Sequence, residues 1–406
     1  MDPVRRNVWL YYAFSFFSFF LIWGGIWIKY LIQDRGLELR WILAMDLPFW
    51  LLVAVLQAPT GALADYIGRK RVLALSGLLY SITILGFGFT TNYWMLFFDY
   101  VIWAFAMTSQ TGANDALLYD TLKEHSREGE YQTYVGRGWA IGLGAGLGGV
   151  VLGGMIAHVT SLAFTVQIGA IAPLIAMAAA LAMREPRREV AESRHYWRDL
   201  SRALRFAWAT PQVRYTLLVG SVLMTGTFGP IVLIQPFLIE YDVSNVLFGW
   251  AQAPLRLVSV AASLVALRII MRLGMSRLLV VACVLVFTSY IGLGMTGSIV
   301  AFGFFALPAL AQGVVNPAVS GHLNSRIPSD RRATVLSCVQ LLFAFQVAFF
   351  EPALGFFADG LSLAWAFWFC AIYFAVLMPP LLILWRRAHR VPGGEGGILE
   401  LAKAPA

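Results

Sequence analysis

Long apolar runs fill this chain, separated by short clusters of glycine, arginine and acidic residues. They fall at about 8–32, 41–64, 72–90, 93–119, 135–157, 161–183, 214–239, 246–271, 278–296, 299–323, 333–357 and 362–385. A helix crosses bilayer hydrocarbon in roughly 20 apolar residues, so the pattern predicts twelve transmembrane helices and an all-α integral membrane fold. The longest break, about 184–213, splits them six and six. The predicted organisation is a bundle at 1–183, a linker at 184–213, a second bundle at 214–385 and a tail at 386–406. The first run follows Arg5 and Arg6, as in a signal peptide. It is too long for an h-region and has no small-residue cleavage site before the next run, so it reads as a retained helix.

Composition agrees: of 406 residues 59% are hydrophobic and 13% charged, whereas soluble domains carry about a quarter charged residues. Abundant Trp, Phe and Tyr suit rings that anchor helices at the membrane interface. The net charge of +8 is distributed unevenly. With a cytoplasmic N-terminus, the inner side holds Arg5, Arg6, Arg69, Lys70, Arg71, Lys123, Arg127 and Arg137. The basic linker, Arg268, Arg272, Arg277, Arg326, Arg331, Arg332 and the tail arginines join them, and the outer side keeps Lys29, Arg35 and Arg40. That asymmetry places both termini in the cytoplasm and leaves no basic patch over for nucleic acid. Within the linker, His195 to Ala209 predicts an amphipathic helix, with Trp197, Leu200, Leu204 and Trp208 on one face and Arg194, Arg198, Arg202 and Arg205 on another. Cys283, Cys338 and Cys370 lie in apolar runs and the five histidines are dispersed. The expectation is no disulfide framework, metal, cofactor or enzyme site, and energy from a gradient rather than ATP.

Between the second and third runs stands Gly61-Ala-Leu-Ala-Asp65-Tyr-Ile-Gly68-Arg69-Lys70-Arg71. Gly61 permits close approach of a neighbouring helix and Gly68 a tight turn, while Asp65 can pair with Arg69 and cap a helix N-terminus. This segment resembles the signature loop of the major facilitator superfamily at every expected position. The resemblance implies a latch on the cytoplasmic side, joined by a carboxylate near the inner end of the fourth helix: Asp120, or else Asp115. The second-half counterpart, Leu267 to Arg277, keeps Arg272, Gly274 and Arg277 but has Met271 where an Asp would stand. In the fifth run, Gly136, Ala145, Gly149, Val150, Gly153 and Gly154 are similar to the drug/proton antiporter signature, with Ala145 and Val150 replacing a glycine and the proline. Gly149, Gly153 and Gly154 equally suit plain close packing. The run Thr111 to Asp120 resembles that of a bacterial branch of the superfamily.

Ionisable groups inside hydrocarbon cost about 2.5–3.5 kcal/mol on insertion scales and are functional candidates by default. At about 1.5 Å rise per residue, Arg256 falls near the midplane, Asp99 and Glu351 fall roughly 9 Å inside the outer edge, and Asp46 is shallower. Asp99 has no evident cation partner in its half, so it can exchange protons. Arg256 and Glu351 form a possible pair, structural or switching, and Asp46 reads as a cap near Lys29 or Arg40. The family arrangement implies a cavity lined by the first, fourth, seventh and tenth helices. Its candidate lining is Trp23, Trp27, Gln110, Thr111, Asn114, Gln235, Gln312 and Asn316, with Pro236 and Pro317 beside two of them.

These residues predict a major facilitator-type secondary transporter working by alternating access, and proton-coupled efflux of an amphiphilic small molecule. Asp99 would carry the proton, with Glu351, Arg256 and Asp46 as further candidates. The expected partners are substrate, protons and membrane lipid, the expected working unit a monomer, and the expected location a bacterial inner membrane, given the excess of arginine over four lysines. A proton-coupled uptake symporter, or a non-transporting receptor or assembly factor, are the alternatives.

Overall fold

The computed structural model describes residues 3–186, 196–327 and 332–390, and apart from short 3₁₀ turns every element among them is an α-helix. In chain order these are α1 (Pro3–Phe19), α2 (Trp27–Gln33), α3 (Leu39–Ala44), α4 (Asp46–Ile67), α5 (Arg69–Phe89), α6 (Tyr93–Gln110), α7 (Ala113–Lys123), α8 (Tyr131–Val159), α9 (Leu162–Ile168), α10 (Ile171–Ala182), α11 (Tyr196–Ala209), α12 (Pro211–Glu240), α13 (Asn245–Met295), α14 (Ala306–Asn324), α15 (Arg332–Gly360) and α16 (Leu363–His389). Among the described residues nine helical segments are long and apolar enough to cross a bilayer.

Glycine explains how these segments relate to the apolar runs. α13 covers two predicted runs and bends between them at Gly274, whose φ of 71° and ψ of 160° are not helical. The run at 93–119 is cut into α6 and α7 by Gly112 at φ 80°, and the first run is cut at residues 20–26 around Gly24 and Gly25. Linker helix α11 lies where an amphipathic helix was expected; His195, Arg194 and the tail glycines lie outside the described residues.

The chain forms two compact units. One comprises residues 1–37, 48–193 and 242–253; the other comprises 38–47, 194–241 and 254–406. Each therefore incorporates a short segment from the opposite half of the sequence. In the first unit α1 packs against α8 and α10, and α5 against α6 and α10, around a core that includes Val8, Tyr11, Phe14, Leu117, Leu118 and Ala176. Small residues set the spacing: a Cβ on Gly77 would lie 2.8 Å from the Pro173 carbonyl oxygen. On α8, Gly138 abuts Tyr11, Gly142 abuts Phe19, and Gly149 and Gly153 abut the backbone of Leu21 and Ile22. Gly154 abuts the backbone of Asn245 to Gly249, the segment that joins this unit from the second half. Gln252 fastens the same segment by donating to the Gly25 carbonyl at 3.0 Å.

The second unit centres on α12, packed against α14, α15 and α16. At one end three of these helices share a closed hydrogen-bond chain. His389 Nδ1 lies 2.8 Å from the Trp385 carbonyl, which can only accept, so this nitrogen donates. His389 Nε2 then accepts from His322 Nε2 at 3.0 Å. His322 Nδ1 in turn accepts from Arg326 at 3.2 Å. Trp385 Nε1 donates to Thr216 Oγ1 at 2.9 Å. Two of the histidines that are dispersed in sequence thus form one neutral pair.

The α8 contacts separate packed glycines from open ones. A Cβ on Gly153 would overlap the Ile22 carbonyl oxygen, whereas one on Gly148 meets nothing within 4 Å. Gly153→Ala therefore costs about 1–3 kcal/mol and lowers the melting temperature in detergent. Gly148→Ala leaves it within about 0.5 kcal/mol.

Candidate functional site

The signature loop closes on itself within the first unit. Gly68, at φ 107° and ψ 136°, turns the chain from α4 into α5 in a conformation that favours glycine. The turn delivers the first two amides of α5 to a carboxylate: Glu185 Oε1 accepts from Arg69 N at 2.9 Å and Oε2 from Lys70 N at 2.8 Å. That fixes an anion on the positive end of the helix. The Arg69 guanidinium bonds Asp120 and donates to the Ala116 carbonyl at 2.6 Å. Asp65 is a distant third partner, 3.7 Å away and 61% exposed.

Of the residues named from sequence, Arg69, Gly68 and Asp120 meet. Asp115 does not join them; it accepts from the Tyr11 hydroxyl at 2.9 Å. Two expectations are corrected. The α5 N-terminus is capped by Glu185, not by Asp65, which points outward. Gly61 makes no close approach among the described residues, because a Cβ there meets nothing within 4 Å of them.

A cavity of about 490 Å³ opens within the same unit. Tyr11, Phe14, Ser15, Ser18 and Phe19 of α1 line it at helical spacing, facing Trp103, Met107 and Gln110 of α6 and Tyr80 of α5. The break at Thr111 and Gly112 adds Asn114 and Asp115. Asn114 Nδ2 donates to Ser15 Oγ at 3.3 Å, while its Oδ1 is buried without a hydrogen-bond partner among the described residues. Gln110, Thr111 and Asn114 line this cavity. Trp27 and Gln312 are half-buried, Gln235 is buried and Asn316 is exposed, and none of the four lines it.

Asp99 lies beyond this cavity. It lines a second, smaller space of about 20 Å³ with Trp23, Tyr80, Thr83, Ile84, Phe87, Tyr100 and Trp103, enough for one water. Tyr80 and Trp103 belong to both spaces; their rings stack with centroids 6.0 Å apart, at an interplanar angle of 12°. They form a partition between the cavity and the carboxylate. Asp99 packs so tightly on α5 that a Cβ on Gly86 would sit 2.6 Å from its Oδ2. Trp23 Nε1 is buried there without a hydrogen-bond partner. Asp99 itself makes no ion pair among the described residues.

The remaining intramembrane charges are arranged otherwise than expected. Arg256 is exposed and does not pair with Glu351. Asp46, the first residue of α4, and Glu351 of α15 are both buried, at 6% and 1% exposure. The cations proposed for Asp46 are engaged elsewhere. The Lys29 ammonium lies 4.2 Å from the Phe248 ring centre and donates to the Val243 carbonyl at 3.3 Å, and Arg40 bonds Glu38. The groups missed from sequence are Glu185, Tyr11, Tyr80 and Trp103. Trp103 had a signal, since it follows Asp99 by one helical turn.

The sequence matches the family model described as the Major Facilitator Superfamily over residues 8–350. The chain belongs to this superfamily and is a multi-pass membrane protein. None of the curated proteins matches it in sequence. Its fold is similar to that of a bacterial homologue of the human lysosomal transporter Spinster in an inward-facing, unoccupied conformation, at TM-score 0.76 and 17% identity, with 100% of both chains covered. It is also similar to the nucleoside transporter NupG, at TM-score 0.69 and 15% identity, covering 96% of this chain and 99% of that one. A D-xylose–proton symporter matches at TM-score 0.68 and 12% identity, covering 94% of this chain and 97% of that one. Family and fold make this protein a transporter rather than an enzyme.

Because Glu185 satisfies two amides of α5 at once, Glu185→Ala lowers thermal stability in detergent by about 1–2 kcal/mol. Glu185→Gln, which keeps one acceptor oxygen, loses about half as much.

Proposed function

We propose that this protein is a proton-coupled secondary transporter that exports an amphiphilic small molecule by alternating access between two six-helix bundles. It works as a monomer in a bacterial inner membrane with both termini in the cytoplasm. The observation that carries this reading is the pairing of two spaces across one aromatic partition. The larger has the size of a small-molecule site and mixes rings with a few polar groups: Gln110, Thr111, Ser15, and Asn114 with its unmet acceptor oxygen. The smaller holds Asp99, a carboxylate without a cation, at water-sized volume.

Asp99 takes up a proton from one side and releases it to the other, and substrate in the larger space controls the partition formed by Tyr80 and Trp103. Arg69, held by Asp120 and Glu185, keeps the inner ends of α5 and α7 together as a latch. Arginine-rich loops on one side support the orientation.

Reconstituted vesicles test the reading. A ligand is first selected by thermal-shift screening of amphiphilic compounds against the purified protein. An imposed pH gradient then drives its flux in the direction of proton exchange. Asp99→Asn brings flux down to the rate of protein-free vesicles while the ligand still shifts the melting temperature. Wild-type flux in Asp99→Asn refutes the assignment, and flux in the same direction as protons makes the protein an uptake symporter.

A further inference from the structure

The larger cavity carries a charge that the transport reading leaves unused. Asp115 lines it, half-buried, on the first turn of α7. Its Oδ1 accepts from the Tyr11 hydroxyl at 2.9 Å. Among the described residues Asp115 makes no ion pair, and no lysine, arginine or histidine lines the cavity.

The neighbouring backbone does not cancel this charge. α6 ends at Gln110 and α7 begins at Ala113, so the break between them brings a helix C-terminus and a helix N-terminus to one wall. Their partial charges, about half a unit each and opposite in sign, offset one another. The carboxylate remains.

The other polar groups of the lining spend their hydrogens on the protein itself. Tyr11 donates to Asp115, and the Thr111 hydroxyl donates to the Met107 carbonyl at 2.9 Å. Asn114 donates to Ser15 and keeps a buried acceptor oxygen that has no hydrogen-bond partner among the described residues. Gln110 offers both a donor and an acceptor. An anionic solute would need donors or a cation in this wall, and a sugar would need more polar partners than it supplies.

Rings make up much of the rest: Tyr11, Phe14, Phe19, Tyr80, Trp103 and Trp139. Phe19 and Trp139 lie side by side, with centroids 6.0 Å apart at 51°, so α1 and α8 present a joined aromatic surface. A ring face carries partial negative charge and attracts cations, and a carboxylate among rings is the arrangement that suits an organic cation.

We propose that this cavity selects hydrophobic organic cations, with Asp115 as the countercharge and the rings as the apolar wall. The proposal rests on the larger space being the solute site, and adds the charge of the solute. Tyr11 is a positioning residue, holding one carboxylate oxygen and leaving Oδ2 for the solute. Asp115 and Asp99 then have separate duties across the partition of Tyr80 and Trp103. The first meets the charge of the solute, and the second exchanges the proton.

Tetraphenylphosphonium and tetraphenylborate test the charge directly, since both hold the same phenyl rings around one central atom and differ in sign. Their binding to purified full-length protein is measured in a neutral detergent, without a gradient, by thermal shift and by equilibrium dialysis against empty micelles. The phosphonium binds saturably and raises the melting temperature, and the borate does neither. Asp115→Asn, which keeps an acceptor for Tyr11, weakens phosphonium binding about tenfold or more. Asp115→Glu restores most of the affinity. Equal binding of the two ions, binding of neither, or unchanged phosphonium affinity in Asp115→Asn overturns the proposal. Should that variant fail to fold, the two ions compared on the parent decide. Asp99→Asn retains phosphonium binding, so the two readings fail separately. Lost coupling with binding intact strikes the role of Asp99, and binding without charge preference strikes that of Asp115.

Discussion

Hydrocarbon offers polar groups no hydrogen-bond partner, and this single constraint organises the molecule. It makes helix the only practical spanning backbone and favours local bonding of short hydroxyl side chains. Thr60, Thr108, Ser109 and Thr111 all donate to carbonyls one turn back on their own helices. It also explains the fully ordered chain from Arg326 through His322 and His389 to Trp385, in which each nitrogen has one defined role. Against that background the unsatisfied groups stand out. Two of those among the described residues, Trp23 Nε1 and Asn114 Oδ1, line spaces suited to a solute or water.

Close packing supplies the rest of the energy, because apolar side chains gain little by leaving lipid for each other. The first helix lies on α8 over successive turns through Gly138, Gly142, Gly149 and Gly153. Neighbouring Gly144 and Gly148 have nothing within 4 Å. One glycine-rich helix thus has a packed face and an open one, and position on the helix, not residue type, separates them.

Much of this was legible in the sequence. Apolar runs marked where helices occur, and the spacing of Gly68, Arg69 and the acidic residue of α7 identified the loop and one partner. Boundaries shifted where a single glycine takes positive φ: Gly112 cuts one run in two, and Gly274 bends one helix across two runs. Long-range pairing was not legible. Asp46 and Glu351 are far apart in sequence, and neither carries a local signal of the burial the fold gives it. Charge matching favoured a cation for each, because opposite charges are the usual remedy for burial. Glu185 was missed for a related reason, since a cap on backbone amides needs no complementary side chain. Gly61 was over-read, because a family pattern shows where a residue stands without showing what it touches.

The traded segments bear on how the protein is made. A ribosome supplies Gly154 of α8 well before Asn245 and Gly249, the residues that cover it, and supplies residues 38–47 long before α15 exists to receive them. The first half is therefore made before the segment that completes its packing in the finished fold. A polypeptide truncated after its first half would lack the residues that cover Gly154 and the helix that receives residues 38–47.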